Sequence, residues 1–211
     1  MVCRMPGRVG GALAALAIGA AVCFGMQTVP AGAEVRSSTE VRDYRVSGTS
    51  AASLVSFMRN HPFHGDRGAA VANIRPYYSL SLFTKDVGKD GVCNATRVDL
   101  SVRFVMTLPK ATTPGGMSAS TRSAWLAFTS FARKHEETHR GIYVDCANAF
   151  VAKALDMTST QSCGALEATI RRQLESAKRA CEAKQTAFDR RDYRRVFGLS
   201  LFRLANYAKG K

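Results

Sequence analysis

The most regular pattern of polar and apolar positions in the chain runs over residues 98–108. Its even-numbered positions are all apolar, and most of the odd-numbered positions between them are polar, which is typical of a β-strand with one buried face. Residues 41–46 and 77–84 alternate in the same way over shorter lengths and predict two more strands. Residues 34–40 are mostly polar and predict an exposed tail.

Helical spacing replaces this alternation elsewhere in the chain. Residues 51–60 carry Leu54, Val55 and Met58 on one face and predict a short first helix. A long helix is predicted from about residue 120 to about residue 155, and a further helical stretch from Cys163 to about residue 189. The apolar stripe of the long helix is predicted to contain Trp125, Phe128, Phe131, His135, His139, Ile142, Cys146 and Ala149.

The order of these elements indicates an α+β domain over residues 34–211. We expect a small antiparallel sheet packed on the long helix and on a following helical hairpin.

The N-terminal residues indicate export. Arg4 and Arg8 precede an apolar run over residues 10–25, and Ala31-Gly32-Ala33 forms an A-x-A cleavage site. These features predict a signal peptide over residues 1–33 and a mature protein in the bacterial periplasm or outside the cell. An uncleaved anchor is the alternative, but the apolar run is shorter than the roughly 20 residues that span a bilayer.

The cysteine count agrees with an oxidising compartment. Removal of the leader leaves Cys93, Cys146, Cys163 and Cys181, which predicts two disulfide bonds. Three pairings are possible, and we prefer Cys93–Cys163 with Cys146–Cys181, because the latter two residues can face each other on antiparallel helices. Since no C-x-x-C pair is present, we do not expect these thiols to bind metal.

The chain is strongly basic, with 30 Lys and Arg against 16 Asp and Glu and a net charge of +14. This surplus favours contact with an anionic envelope polymer or a lipid surface, unless it is simply a solvated basic face. We expect no nucleic-acid partner, because the protein is predicted to be exported and no recognition motif is present. The basic face of the second helical stretch also lacks interleaved aromatic residues. That face carries Arg171, Arg172, Lys178, Arg179 and Lys184.

The chemically most informative motif is His135-Glu136-Glu137-Thr138-His139 in the long helix. Two histidines four residues apart on a helix project from one face and can share a zinc ion. The glutamate after the first histidine lies beside that ion, where it can act as general base toward water. The motif therefore predicts His135 and His139 as Zn²⁺ ligands and Glu136 as the catalytic residue.

The third ligand is less well defined by the sequence. Asp145 follows His139 by six residues, the spacing of a third ligand in some zinc peptidases, but on an unbroken helix it would point away from the histidines. Glu167 and Glu175 on the following helix are the alternatives. His61 and His64 also lie outside the motif, and we interpret them as ordinary loop histidines.

Residues 40–190 resemble a bacterial family of predicted secreted zinc-dependent proteases, domain of unknown function 922. The resemblance rests on residues 44–49 (YRVSGT) with Leu54 and Met58, on Cys93 and Cys163, and on Trp125 and Phe128 ahead of HEETH. It implies zinc ligation by His135 and His139 and catalysis by Glu136. One feature departs from the family, whose members end in Tyr-Asp followed by Thr-x-His-Gly, whereas Phe188-Asp189 has no histidine after it. Cys146 and Cys181 look like an additional pair.

We therefore expect a secreted or periplasmic zinc peptidase that hydrolyses peptide or amide bonds of a peptide or protein substrate. We expect the strand at residues 98–108 to pair with an extended substrate by edge addition. The alternative is a non-catalytic, basic envelope-binding module with a structural or degenerate metal site.

Overall fold

The computed structural model describes residues 32–65, 68–87 and 91–206. The predicted signal peptide lies outside these residues, apart from Gly32 and Ala33. No helix in the described part of the chain is long and apolar enough to cross a bilayer.

One sheet contains the long strands that the structure describes. Its strands are β1 (Ala33–Val46), β4 (Asn73–Val87), β5 (Val92–Ala111) and the two-residue β6 (Thr158–Ser159), whereas β2 (Phe63–Gly65) and β3 (Gly68–Ala70) form a separate hairpin. The order in the main sheet is β1-β5-β4, so β5 is central. β4 and β6 are antiparallel to β5 but β1 is parallel to it, which makes the sheet mixed rather than purely antiparallel.

Four α-helices complete the fold over the described residues: α1 (Ala51–Asn60), α2 (Ala119–Leu155), α3 (Cys163–Phe197) and α4 (Ser200–Leu204). Hydroxyl groups of Ser50, Ser118 and Ser162 cap the first turns of α1, α2 and α3, as is common at helix N-termini. The α+β class is confirmed, as are α1 and α2. The expected hairpin is formed by α2 itself with α3, which continues unbroken to Phe197.

The expectation of a polar tail at residues 34–40 is wrong, because this segment is the first half of β1. Its backbone pairs with β5 from Ala33 onwards. Its charged side chains lie on the exposed face of the sheet in ion pairs such as Arg36–Glu34 and Arg42–Glu40. The segment is polar because neither its outward face nor its free edge is covered.

Buried side chains form two adjoining clusters. One lies between the sheet and α2 with α3, and its centre includes Leu100, Phe104 and Ile170. The other joins α1, α4 and the first half of α2 around Leu54, Phe128 and Leu201. α2 takes part in both clusters, and residues from both line a single cavity of about 1050 Å³.

Candidate metal centre

The two histidines of the HExxH motif lie on the inner side of α2. His139 is buried and His135 is half-buried at the edge of the same face. Their Nε2 atoms are 3.0 Å apart, as expected for an i, i+4 pair whose rings point to one place. The ring of Phe188 on α3 packs against both imidazoles, with centroid distances of 4.8 and 4.9 Å.

Each histidine is oriented by a side chain from α3. Nδ1 of His135 donates a hydrogen bond to Asp192 Oδ2 at 2.7 Å, and Nδ1 of His139 donates to Gln185 Oε1 at 2.5 Å. The amide orientation of Gln185 is set by its Nε2, which donates to the backbone oxygen of His139 at 3.1 Å. When the imidazoles are neutral, these acceptors hold the proton on Nδ1, so each Nε2 presents a lone pair.

A carboxylate completes the group. Asp189 Oδ1 lies 2.8 Å from Nε2 of His139 and 3.3 Å from Nε2 of His135. Ligand atoms about 2.1 Å from a tetrahedral ion are separated by about 3.4 Å. The spacings here are slightly shorter, 2.8–3.3 Å, and are close enough for the three side chains to share one metal ion. His135, His139 and Asp189 can therefore hold a metal ion.

The electrostatics of the site favour a cation at this position. Burial lowers the pKa of His135, but its contacts with Asp189 and Asp192 outweigh burial and raise the pKa above its usual value. Burial in turn raises the pKa of Asp192, but hydrogen bonds from His135 and Arg195 more than offset this and lower it. The carboxylates of α3 thus stabilise positive charge at His135, whether it is carried by a proton or by a metal.

Glu136 faces the cavity rather than solvent. It is 5% exposed and lines the cavity together with His135, His139 and Asp189. The buried line of α2 passes through Ala132, Glu136, Tyr143 and Ala147, so the predicted stripe through Phe131, His135, Ile142 and Cys146 is displaced by about one residue. This displacement buries Glu136, whereas the neighbouring Glu137 is exposed.

The structure does not bring the predicted third ligands to the histidines. Asp145 is exposed on the outer side of α2. Glu167 accepts a hydrogen bond from Thr84, and Glu175 pairs with Lys178. These two glutamates precede Asp189 by 22 and 14 residues on one continuous helix, which places them about 33 and 21 Å away along its axis.

The histidines outside the motif contribute nothing that the structure describes at the centre. His61 is the C-cap of α1 and its ring stacks on Phe57, with centroids 4.6 Å apart. The side chain of His64 lies outside the described part of the chain.

Both predicted disulfides are present with the preferred pairing. Cys93–Cys163 joins β5 to the start of α3, and Cys146–Cys181 joins α2 to α3 with a Cα–Cα distance of 6.0 Å. The second bond lies seven residues after His139 and eight before Asp189, next to the metal centre along both helices.

Three residues of the centre are not among those that the sequence predicts: Gln185, Asp189 and Asp192. They follow one another at i, i+4 and i+7 and therefore share one face of α3 with Cys181. The sequence does contain a signal for them. If two antiparallel helices are joined at Cys146–Cys181, a residue a given number of positions before Cys146 lies opposite the residue the same number of positions after Cys181. His139 then lies opposite residue 188, and His135 lies opposite Asp192.

Comparison with known proteins identifies a family but no individual relative. No curated protein and no solved structure matches the chain. A family model described as bacterial protein of unknown function (DUF922) matches residues 41–195, a range that contains every residue of the metal centre and both disulfides. The chain therefore belongs to the DUF922 family of bacterial proteins.

Proposed function

We propose that the protein is an exported zinc-dependent peptidase in which His135, His139 and Asp189 hold the metal ion and Glu136 is the general base. The observation that carries the proposal is the convergence of three metal-binding atoms within 2.8–3.3 Å of one another. The neutral imidazoles of His135 and His139 are held with the proton on Nδ1, which leaves Nε2 to bind the metal. The buried carboxylate of Glu136 lies in the same cavity.

Zinc is the metal that we propose for this donor set. Two imidazoles and a carboxylate are the protein ligands of several catalytic zinc sites, which leave further coordination positions open. When bound, zinc lowers the pKa of water and polarises the carbonyl group of a substrate. The pairs His135–Asp192 and His139–Gln185 supply the outer hydrogen bonds that such ligands require.

Glu136 supplies the proton transfers of the hydrolysis. Its carboxylate accepts one proton from the attacking water while the water oxygen forms a bond to the carbonyl carbon. The same proton passes to the amide nitrogen as the carbon–nitrogen bond breaks. The products are one carboxylic acid and one amine, and Glu136 returns to its ionised form.

Export is part of the proposal. Two disulfide bonds are typical of proteins that fold in an oxidising compartment. They agree with the signal peptide predicted at residues 1–33 and with a location in the periplasm or outside the cell.

The test is peptide-library cleavage by the mature protein with and without a chelator. Glu136→Gln should retain zinc and lower turnover by at least about 100-fold, because it removes the base and keeps the shape of the side chain. Glu137→Gln is the matched control, since this neighbouring carboxylate is exposed, and it should leave turnover unchanged.

If the protein binds one equivalent of zinc but shows no chelator-sensitive cleavage of any peptide or cell-wall amide, the binding-module alternative is favoured instead. That alternative predicts instead that neutralising the exposed residues Arg171, Arg172 and Arg179 weakens association with anionic envelope polymer or lipid.

A further inference from the structure

The cavity at the metal centre has two chemically different ends. Along α2, the lining residues that precede His135 are apolar, and along α3 the lining residues that precede Asp189 are charged. Because α2 and α3 are antiparallel, these sets lie on opposite sides of the centre. The apolar end includes Val55, Met58, Val71, Phe128, Phe197 and Phe202, and the exposed Arg59 of α1 lies beside them. The charged end includes Glu175, Lys178, Arg179 and Glu182.

One wall of the cavity is the free edge of β4. Six consecutive residues of this strand, 73–78, line the cavity. Side chains of consecutive strand residues point to opposite faces, so a cavity that meets all six meets the edge of the strand. β4 pairs only with β5 among the described residues, which leaves this edge open. β5 is central, so the expectation that residues 98–108 would pair with substrate is wrong.

The register shows which backbone groups face the cavity. The N–H of Val98 donates to Gly32 O at 2.7 Å, on the β1 side. From Val98 onwards, the backbone N–H and C=O groups of even-numbered β5 residues therefore point to β1, and those of odd-numbered residues point to β4. The β4 residues paired with the odd-numbered residues 107, 105 and 103 are Asn73, Arg75 and Tyr77. The N–H and C=O groups of Ile74 and Tyr78 and the C=O of Pro76 therefore point to the free edge. Proline is tolerated at such a position because it has no N–H to leave unpaired.

We infer that the substrate of the centre is an extended polypeptide segment that pairs with the edge of β4 and places a large apolar side chain, next to the scissile bond, in the apolar end of the cavity. This inference rests on the proposed function and specifies its substrate class. Six extended residues span about 20 Å, so one segment reaches from the apolar end past the metal centre. A cell-wall amide without a large apolar side chain leaves that end unfilled.

The first experiment is a cleavage-site profile on unfolded polypeptides and on peptides that vary at one position at a time. We expect chelator-sensitive cleavage with a preference of about 10- to 100-fold for Phe, Leu or Met over Gly at one position beside the cleaved bond. Chelator-sensitive cleavage without such a preference, or only of cell-wall amides, overturns this inference and leaves the proposed peptidase or amidase standing. No chelator-sensitive cleavage at all contradicts the proposed function itself.

A charged substitution at the apolar end is the second test. Val71 lies in the turn before β4 and lines the cavity, so Val71→Asp should lower kcat/KM for a Phe-containing peptide by at least about 10-fold and leave the Gly-containing peptide and the zinc content unchanged. Val41→Asp is the control, because Val41 is 46% exposed on β1 and does not line the cavity. An equal loss in both variants, or equal losses on both peptides, contradicts the assignment.

An N-methyl scan of the peptide tests the β4 edge with the unmodified protein. Ile74, Pro76 and Tyr78 offer carbonyl oxygens at every second position, so only every second substrate amide donates to the strand. N-methylation should lower kcat/KM by about 10-fold or more at alternate positions and have little effect between them. A scan with no alternation rules out pairing with β4.

Discussion

The two helices of the metal centre contribute to it in different ways. α2 supplies both histidines and Glu136 within five residues, so the spacing of one helical turn brings them together. α3 supplies Gln185 and Asp192, which lie 46 and 57 residues from the histidines that they orient, as well as the carboxylate of Asp189. The contribution of α2 depends on local spacing, and that of α3 depends on how the two helices pack.

This difference separates two requirements of a metal site. A pair of histidines on α2 defines where a metal can bind, but it does not set the tautomer of either ring. Gln185 and Asp192 hold the proton on Nδ1 and leave Nε2 available, while Asp189 adds negative charge. We therefore expect α2 to determine whether metal binds at all and α3 to determine how tightly.

Removal of a histidine from α2 should have the largest effect. His139→Ala removes one of the three proposed ligands, so we expect zinc content and chelator-sensitive cleavage to fall together to near zero. Metal analysis and the peptide assay on the same preparation measure both. His61→Ala is the control, since His61 caps α1 away from the centre, and a comparable loss of zinc in this variant would contradict the assignment.

Removal of an orienting group from α3 should have an intermediate effect. Asp192→Asn retains an acceptor for the Nδ1 proton of His135 but loses the negative charge, and we expect zinc affinity to fall by about 10- to 100-fold. Competition with a chromophoric chelator measures this change. Glu175→Gln alters an exposed carboxylate of the same helix and should leave the affinity unchanged.

The contrast between the helices also explains what the sequence could predict. α1 and α2 were predicted closely because their apolar residues repeat at helical spacing, and the HExxH histidines lie within one such repeat. Asp189 and Asp192 were missed because they stand among arginines at residues 190–195, where a charged stretch looks like a solvated helix end. Only the antiparallel packing of α2 and α3 brings Asp189 to His139 and Asp192 to His135.

The sheet shows the same limit. β5 was predicted from its alternating apolar face, although only for residues 98–108 of a strand that runs from Val92 to Ala111. The first half of β1 has no such pattern, because its outward side chains form exposed ion pairs and its pairing with β5 uses backbone groups. Parallel pairing between segments about 65 residues apart leaves no local signature in the sequence.

The disulfide between the helices should have the smallest effect on the centre. Replacement of Cys146 and Cys181 by alanine should lower the free energy of unfolding by about 3–4 kcal/mol, because the bond closes a loop of 35 residues. We also expect a several-fold loss of zinc affinity, since α3 is then held less firmly against α2. Urea unfolding and zinc competition measure the two effects.

The other disulfide provides the comparison. Removal of Cys93–Cys163 should cost slightly more stability, because its loop of 70 residues is longer. It should leave zinc affinity unchanged in the folded protein, since this bond lies at the far end of α3. Equal effects on zinc affinity would show that Cys146–Cys181 has no particular connection with the centre.

Zinc analysis of two aspartate variants tests most directly whether α3 provides the third ligand. Asp189→Ala removes the carboxylate that lies 2.8 Å from His139 Nε2, whereas Asp145→Ala removes the exposed carboxylate at the spacing favoured by the sequence. We expect one equivalent of zinc in the unmodified protein and in Asp145→Ala, and an affinity lowered by at least about 100-fold in Asp189→Ala. Full zinc affinity in Asp189→Ala, or its loss in Asp145→Ala, would contradict the account.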